Sequence, residues 1–368
     1  MKLGFALFNY FPFGGLQRDM LAIAKACVAR GHQVSVFCGS WEGERPDFVT
    51  VHPVPTRGLT NHQRDAAFAK NLPAAAEREG VDTLVGFNKM PGLDVYYAAD
   101  SCFAAKVYEE RGRWYRLLPR ARAFLRMERA VFARTAASRI LLISEKEQSV
   151  YRRYYDTPLE RMHLLPPGIR RDRIMPPDYP ARRQRFRAEQ DWTAAQKVLL
   201  FVGSGFRTKG LDRAIRALAT LRRNYPDCRL LVLGHDKPGE FAALAERLGV
   251  ADAVHFLGGV ERVTDYFWGA DVLLHPAYRE NTGTVLLEAM VAGLPVVTTE
   301  ACGYAHYVSE ADMGAVITAP VRQADIDQAL TRILEAPGDG WRERGAAFAR
   351  EADIYAMPER ACDLIVDS

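Results

Sequence analysis

Two glutamates, Glu280 and Glu288, flank the start of a predicted helix in the segment 275–297. The apolar pattern ends a strand near His275 and begins the helix at about Gly283. The exposed N–H groups of a helix N-terminus bind phosphate, and a carboxylate on either side can accept hydrogen bonds from sugar hydroxyls. The pattern therefore indicates a site for a phosphorylated sugar. The alternative is that Glu280 only complements the helix dipole and that Glu288 is a surface residue.

A loop with two cations, Arg207 and Lys209, follows the predicted strand 197–203. Cations beside a helix start can neutralise a diphosphate leaving group as it gains charge in the transition state. The loop lacks the Gly-Lys-Ser/Thr order of a Walker loop. We therefore expect a diphosphate contact here, with a solvated turn at Lys209–Gly210 as the alternative.

A glycine pair, Gly14 and Gly15, lies between the first predicted strand and the first predicted helix. Glycines at such a junction allow backbone N–H groups to approach a phosphate. The pair lies well beyond Phe8, and the chain has no Gly-x-Gly-x-x-Gly there, so the sequence disfavours an NAD enzyme.

The elements that position these residues alternate between strands and helices in two runs, the second starting at residue 197. Five prolines among the twenty residues 165–184 favour an interdomain connector between the runs. The predicted fold class is therefore α/β, with two doubly wound Rossmann-like domains facing a central cleft. The predicted boundaries are an N-terminal domain over 1–166, a connector over 167–196, a C-terminal domain over 197–345 and a C-terminal helix over 346–368. This last helix either stays with the C-terminal domain or crosses back to the N-terminal domain.

The bulk composition fits this plan: 368 residues suit two domains, and 48% hydrophobic with 26% charged residues is typical of folded globular proteins. The six cysteines are scattered singly, which disfavours a zinc knuckle or a disulfide framework. No apolar run reaches the roughly 18 residues of a membrane span. We therefore expect a cytoplasmic chain with reduced thiols.

Longer blocks of sequence carry a family resemblance. They are "YFPFGGLQRD", "SWEG", "GFNKMPGLDVYYAAD", "LPPGI", "LLHPAY" and "CGYAHY". Together with the spacing of Glu280 and Glu288 and the Lys209 loop, they resemble the retaining GT-B glycosyltransferases of family 4, and within them the lipopolysaccharide core glucosyltransferase I enzymes. The resemblance extends from residue 10 to residue 307.

The resemblance implies a UDP-sugar donor held mainly by the second domain. Lys209 and Arg207 would bind the diphosphate, Glu288 the ribose and Glu280 the hexose. Asp100 and Asp19 would face the sugars. For Asp19 the alternative is that it only stabilises the helix, as an acid in the first helical turn does. The implied catalytic residues are Glu280, Lys209, Asp100 and Asp19, and the implied donor-binding residues are Gly14, Gly15, Arg173, Arg207, Lys209, Glu280, Asn281, Thr282, Gly283, Thr284 and Glu288.

Retention without a covalent nucleophile implies front-face attack, with a donor phosphate oxygen accepting the proton of the acceptor. No cofactor or metal is expected, since UDP-sugar is a co-substrate and the Asp-x-Asp at 325–327 opens a helix, where acids suit the dipole. The implied acceptor is the heptose-containing core attached to lipid A. Thr208 stands where the family has an arginine directly before the lysine, and the arginine of this chain is at position 207. Asn281, Thr282 and Thr284 replace apolar residues of the family pattern close to the sugar, so the donor is either UDP-glucose or a UDP-N-acetylhexosamine such as UDP-GalNAc.

The segment 103–134, called the basic segment, carries nine cations against three anions and many aromatic side chains. It is either a solvated basic face over a core helix or a contact with an anionic membrane. The lipid-linked acceptor favours peripheral association with the cytoplasmic face of the inner membrane, and no nucleic-acid-binding module is present. The candidate membrane residues are Lys106, Arg111, Arg113, Trp114, Arg116, Arg120, Arg122 and Arg126.

Two other functions fit the same fold. A nucleotide-sugar epimerase or hydrolase would consume UDP-sugar without an acceptor. A non-catalytic sensor would bind the UDP-sugar and never release UDP from it.

Overall fold

The computed structural model describes residues 1–12 and 14–367. Their strands are β1 (Lys2–Tyr10), β2 (Gln33–Trp41), β3 (Thr50–Pro53), β4 (Thr83–Gly86), β5 (Val95–Ala98), β6 (Arg139–Leu142), β7 (Met162–Leu164), β8 (Val198–Val202), β9 (Arg229–Leu233), β10 (Val254–Gly258), β11 (Val272–His275), β12 (Val296–Thr299) and β13 (Gly314–Ile317).

The α-helices among the same residues are α1 (Gly15–Ala29), α2 (Asn61–Glu79), α3 (Phe103–Ala105), α4 (Pro119–Phe132), α5 (Glu145–Tyr155), α6 (Tyr179–Glu189), α7 (Leu211–Leu221), α8 (Gly239–Arg247), α9 (Val263–Gly269), α10 (Thr284–Val291), α11 (Ala305–Glu310), α12 (Gln323–Glu335), α13 (Gly338–Glu351) and α14 (Met357–Val366). None of the helices in the described residues is long and apolar enough to cross a membrane.

The chain folds into two compact units. Unit 1 comprises Met1–Gly168 and Tyr355–Ser368, and unit 2 comprises Ile169–Ile354. Each is built on a parallel sheet, with the order β3-β2-β1-β4-β5-β6-β7 in unit 1 and β10-β9-β8-β11-β12-β13 in unit 2 for the described residues. The predicted α/β class with two Rossmann-like domains is confirmed.

The central strand of unit 1 shows why its sequence is almost continuously apolar. Leu3, Phe5 and Leu7 of β1 pack in the core that α1 and α14 cover. Ala6 points to the opposite core, beneath α2 and α4. A parallel strand that is covered on both faces needs apolar side chains at both parities.

The predicted connector over 167–196 is wrong as a separate linker. One of its prolines, Pro180, lies in the first turn of α6, where proline is favourable, so this proline starts a helix instead of extending the chain. That helix packs on unit 2: Phe186 contacts Tyr266 with ring centroids 5.0 Å apart, and Arg183 forms an ion pair with Asp271 at 2.6 Å.

The end of the chain is also divided differently from the prediction. Residues 346–351 continue α13 within unit 2, so the unit boundary lies at Ile354 and not at 345. The terminal helix α14 belongs to unit 1, where Arg30 of α1 forms an ion pair with Asp363. Cys362 of α14 is fully buried in the same core as Cys27 of α1.

Candidate functional site

The candidate donor site of unit 2 lies where the sheet order reverses. β8 leads outward to β9 and β10, whereas β11 leads in the other direction to β12 and β13. Because β8 and β11 are parallel neighbours, the loops that follow them lie side by side at the carboxyl edge of the sheet. The loop 203–210 carries Lys209, and the loop 276–283 carries Glu280.

Lys209 and Glu280 form an ion pair through the Lys209 ammonium and Glu280 Oε2. On the other side, Nε2 of the fully buried His275 lies 3.4 Å from the same carboxylate oxygen. Burial by itself would raise the pKa of Glu280, but the adjacent imidazole of His275 and the charge of Lys209 outweigh it and lower the pKa to about 2. Glu280 is therefore an ionised hydrogen-bond acceptor at neutral pH.

Backbone contacts fix the two loops against each other. The N–H of Tyr278 donates to the carbonyl of Thr208 at 2.9 Å. Gly210, the residue before α7, has φ +79°, and a Cβ there would clash with the carbonyl oxygen of Pro276. Only glycine fits so close an approach at this dihedral angle, so the Lys209–Gly210 turn is held against the loop that carries Glu280. It is not a loose solvated turn.

The second predicted carboxylate, Glu288, is buried in α10 and is not a surface residue. Nε of Arg173 lies 3.7 Å from Glu288 Oε1, and Nη1 of Arg173 donates to Thr264 Oγ1 at 2.5 Å. Arg173, which the sequence assigned to the connector, is thus 13% exposed and packed within unit 2. The structure joins the predicted Arg173 and Glu288 as a second charged pair.

The residues between the two glutamates form the entry to α10. Glu280 lies outside the helix, which begins at Thr284 after Gly283, so it is not an acid of the first turn. Thr282 is nearly buried, and its carbonyl accepts the N–H of Tyr304 at 2.7 Å. Asn281, the residue before Thr282, is partly buried.

Arg207 stands apart from Lys209. Its side chain is 79% exposed and forms an ion pair with Glu240 at the start of α8. Its predicted diphosphate role stays a prediction.

The predicted glycines of unit 1 follow β1, at which the sheet order reverses between β2 and β4. Gly14 immediately precedes α1, and a Cβ there would clash with the side chain of Gln17, whereas Gly15 has open space around it. The preceding residue 13 lies outside the described residues. Backbone approach to a phosphate thus stays possible at Gly15.

Asp19 and Asp100 differ in their surroundings. Since α1 begins at Gly15, Asp19 lies beyond the first turn, and the idea that it serves the helix dipole is wrong. Its carboxylate instead accepts the hydroxyl of Tyr97 at 2.9 Å. Asp100 is exposed after β5, and its backbone carbonyl accepts the hydroxyl of Tyr151 at 2.9 Å.

Sequence reasoning missed a buried charged cluster in unit 1. Nζ of Lys89 lies 2.5 Å from Oε2 of the fully buried Glu128, and it also donates to the carbonyl of Ser101 at 2.8 Å. Glu128 accepts the N–H groups of Phe103 and Ala104 at 2.6 and 2.8 Å. The cluster anchors the start of the basic segment to α4.

The basic segment is not one continuous helix. It consists of α3, a π-helical turn, a 3-10 turn at Tyr115–Leu117 and α4. All eight predicted membrane residues are exposed, Trp114 by 81%. Within residues 1–12 and 14–367, none of its predicted membrane cations takes part in a salt bridge.

A metal site does not emerge from the described side chains: no group of three or more His, Cys, Asp or Glu residues among them is placed to hold an ion. Asp325, in the Asp-x-Asp sequence, pairs with Arg322 at 2.8 Å in the first turn of α12.

The two parallel sheets, with the charged site after β8 and β11, belong to a glycosyltransferase, as two family models show. Residues 13–173 match the model of glycosyltransferase family 4, and residues 182–352 match the model of glycosyl transferases group 1. The lipopolysaccharide glucosyltransferase WaaG of Escherichia coli (strain K12) is 44% identical to this chain, over 99% of this chain and 98% of that protein. The chain belongs to this family, the GT-B glycosyltransferases of family 4.

Other similar proteins are glycosyltransferases or share the fold. A D-inositol 3-phosphate glycosyltransferase of Xylanimonas cellulosilytica is 30% identical over 92% of this chain and 87% of that protein. The crystal structure of WaaG, a glycosyltransferase involved in lipopolysaccharide biosynthesis, superposes with a TM-score of 0.94 at 43% identity, covering both chains fully. Anabaena HepE in complex with UDP-glucose, 18% identical with a TM-score of 0.76 over 100% of this chain and 99% of that chain, shares the fold.

Proposed function

We propose that this chain is a retaining hexosyltransferase that moves a hexose from a UDP-sugar onto inner-core heptose in lipopolysaccharide core biosynthesis. The observation that carries the proposal is its 44% identity to the E. coli lipopolysaccharide glucosyltransferase, which runs through both units. UDP-glucose is the first donor to test for the same reason. UDP-GalNAc is the second, because Asn281, Thr282 and Thr284 add polar groups beside Glu280 that could read an acetamido group.

The donor would be held by the charged pairs of unit 2. A lysine ammonium has three N–H donors, so Lys209 can keep Glu280 and still donate to a diphosphate. Glu280, with a pKa of about 2, can accept hydrogen bonds from hexose hydroxyls but cannot serve as a proton donor at neutral pH. Glu288 would accept hydrogen bonds from the ribose hydroxyls, while Arg173 holds the Glu288 carboxylate in place.

The arrangement of Glu280 supports front-face attack. One of its oxygens, Oε2, already interacts with both Lys209 and His275, which lowers its value as a covalent nucleophile. A donor phosphate oxygen would then accept the proton of the acceptor hydroxyl, and Lys209 and Arg173 would stabilise the charge on departing UDP. The proposal assigns no step to a metal or a cofactor, and transfer that persists after chelator treatment is the expected result.

The acceptor would be the heptose-containing core on lipid A, reached at the cytoplasmic face of the inner membrane. The predicted membrane cations of the basic segment are all exposed, which supports peripheral association with anionic lipids. No nucleic-acid partner is proposed.

The deciding experiment measures UDP release from a panel of UDP-sugars, with and without a heptose-containing acceptor. The proposal requires release that depends on the acceptor. It also requires that Glu280→Ala abolish transfer but keep most UDP binding, that Lys209→Ala weaken both, and that the matched surface control Glu261→Ala change neither.

The other outcomes identify the alternatives. Release without acceptor would indicate a hydrolase, interconversion of the UDP-sugars an epimerase, and binding without release a sensor. Normal turnover by Glu280→Ala would refute the donor-site assignment.

A further inference from the structure

The two most exposed large apolar side chains of the described residues are Leu59 and Trp114, at 98% and 81%. Trp114 belongs to the basic segment. Leu59 belongs to the loop of residues 55–60 between β3 and α2, which we call the Leu59 loop. Its apolar surface contributes nothing to folding while it stays in water.

The Leu59 loop holds this leucine outward through specific contacts. The backbone N–H groups of Leu59 and Thr60 both donate to Oε1 of Gln63, at 3.0 and 3.1 Å, in a capping box that starts α2. At the other end, Asn71 Nδ2 donates to the carbonyl of Pro55 at 2.8 Å. Turning Leu59 inward would break the helix cap, so its exposure is built into the loop.

The Leu59 loop lies beside the basic segment. Helix α2 packs against α4, and Asp65 near the start of α2 feels the charge of Arg120 near the start of α4. The two helix starts are therefore neighbours. Exposed apolar residues precede both: Leu59 precedes α2, and Leu117 and Leu118, each 48% exposed, precede α4.

The charges around Leu59 match those of the basic segment. Arg57 and Arg64 are exposed on either side of it, and Arg120 continues the cationic surface onto α4. Apolar tips ringed by guanidinium groups suit the interface of an anionic bilayer, where the tips enter the acyl boundary and the cations meet lipid phosphates.

We infer that the Leu59 loop is a second contact with the anionic lipid surface, acting together with the exposed tip around Trp114. The inference rests on the proposed peripheral membrane association of the basic segment.

A site-specific probe tests this on the whole chain. The natural cysteines are all buried, so Leu59→Cys can be labelled selectively with an environment-sensitive maleimide dye. Trp114→Cys reports the basic segment, and Ala74→Cys, exposed on the same helix about 20 Å from its start, is the matched control. Each is mixed with phosphatidylglycerol-containing vesicles and with pure phosphatidylcholine vesicles.

The inference requires that dyes at positions 59 and 114 shift to shorter wavelength on anionic vesicles only, and that the dye at position 74 does not. The unlabelled variant Leu59→Ser should bind anionic vesicles about tenfold more weakly than the unchanged chain. It should keep normal transfer to a soluble, delipidated acceptor, because it lies outside the donor site.

Failures of the two proposals are distinguishable. A shift at position 114 without one at position 59 would refute the Leu59 contact and leave the membrane association standing. No shift at either position, with no sedimentation of the chain with vesicles, would refute both. A shift at position 59 produced by the soluble acceptor alone would assign the loop to saccharide binding and overturn the inference.

Discussion

Replacing Glu280 with glutamine tests the electrostatics of the donor site directly, because the variant keeps the size of the side chain and removes its charge. The pKa of Glu280 falls from an ordinary 4.5 to about 2 in the folded chain. A difference of this size corresponds to about 3 kcal/mol of folding stability. Since the folded-state pKa is lowered, this contribution is complete above the ordinary pKa and is lost as the pH falls from about 4.5 towards 2.

Urea unfolding of the whole chain, followed by tryptophan fluorescence, provides the measurement. At about pH 7.5 we expect Glu280→Gln to be about 3 kcal/mol less stable than the unchanged chain, and at about pH 3.5 we expect the difference to be about 1 kcal/mol smaller. The exposed control Glu261→Gln should show no such difference. A destabilisation that is the same at both pH values would refute the assignment of the stabilisation to an ionised Glu280.

Three further predictions concern function. His275→Phe should raise the pKa of Glu280 by removing the imidazole beside its carboxylate, so the acid limb of the pH–rate profile should move to higher pH. An unmoved limb would contradict the role of His275. Gly15→Val should lower turnover more than it lowers the affinity for UDP. It should not lower the melting temperature, because the added side chain meets open space. Calorimetric titration measures the affinity for UDP, and a thermal melt measures the stability. The third change replaces three cations of α4 with glutamine, namely Arg120, Arg122 and Arg126. It should weaken binding to anionic vesicles but not transfer to a soluble acceptor, and unchanged binding would contradict the membrane proposal.

The resemblance assigned Lys209 and Glu280 to one donor site, and the structure brings the two side chains together. Each follows an apolar strand, and parallel strands present their carboxyl ends at one edge of a sheet. What the sequence could not supply was the order of the strands, which makes β8 and β11 neighbours. His275 was missed as a partner of Glu280 because, as the last residue of a buried strand, it gives the same signal as any core position.

The connector shows where composition misleads. Prolines interrupt helices and strands, but at the first turn of a helix they fit without cost, and α6 begins in that way. Two short strands give a weak signal in the sequence: β7 has only three residues, and β13 has four and begins with Gly314. Both add to the edges of sheets that the longer strands had already defined.

The basic segment shows how burial changes the meaning of a charge count. Glu128 is one of only three anions in the segment, yet it is fully buried and its charge is balanced by Lys89, which lies outside the segment. A second anion, Glu109, pairs with Arg153 of α5, also outside it. Because both anions are matched by cations from elsewhere, neither of them compensates the exposed arginines of the segment. Arg134, at the end of the segment, pairs with Asp156. The outward face is therefore more cationic than its sequence composition indicates, which strengthens the case for an anionic partner.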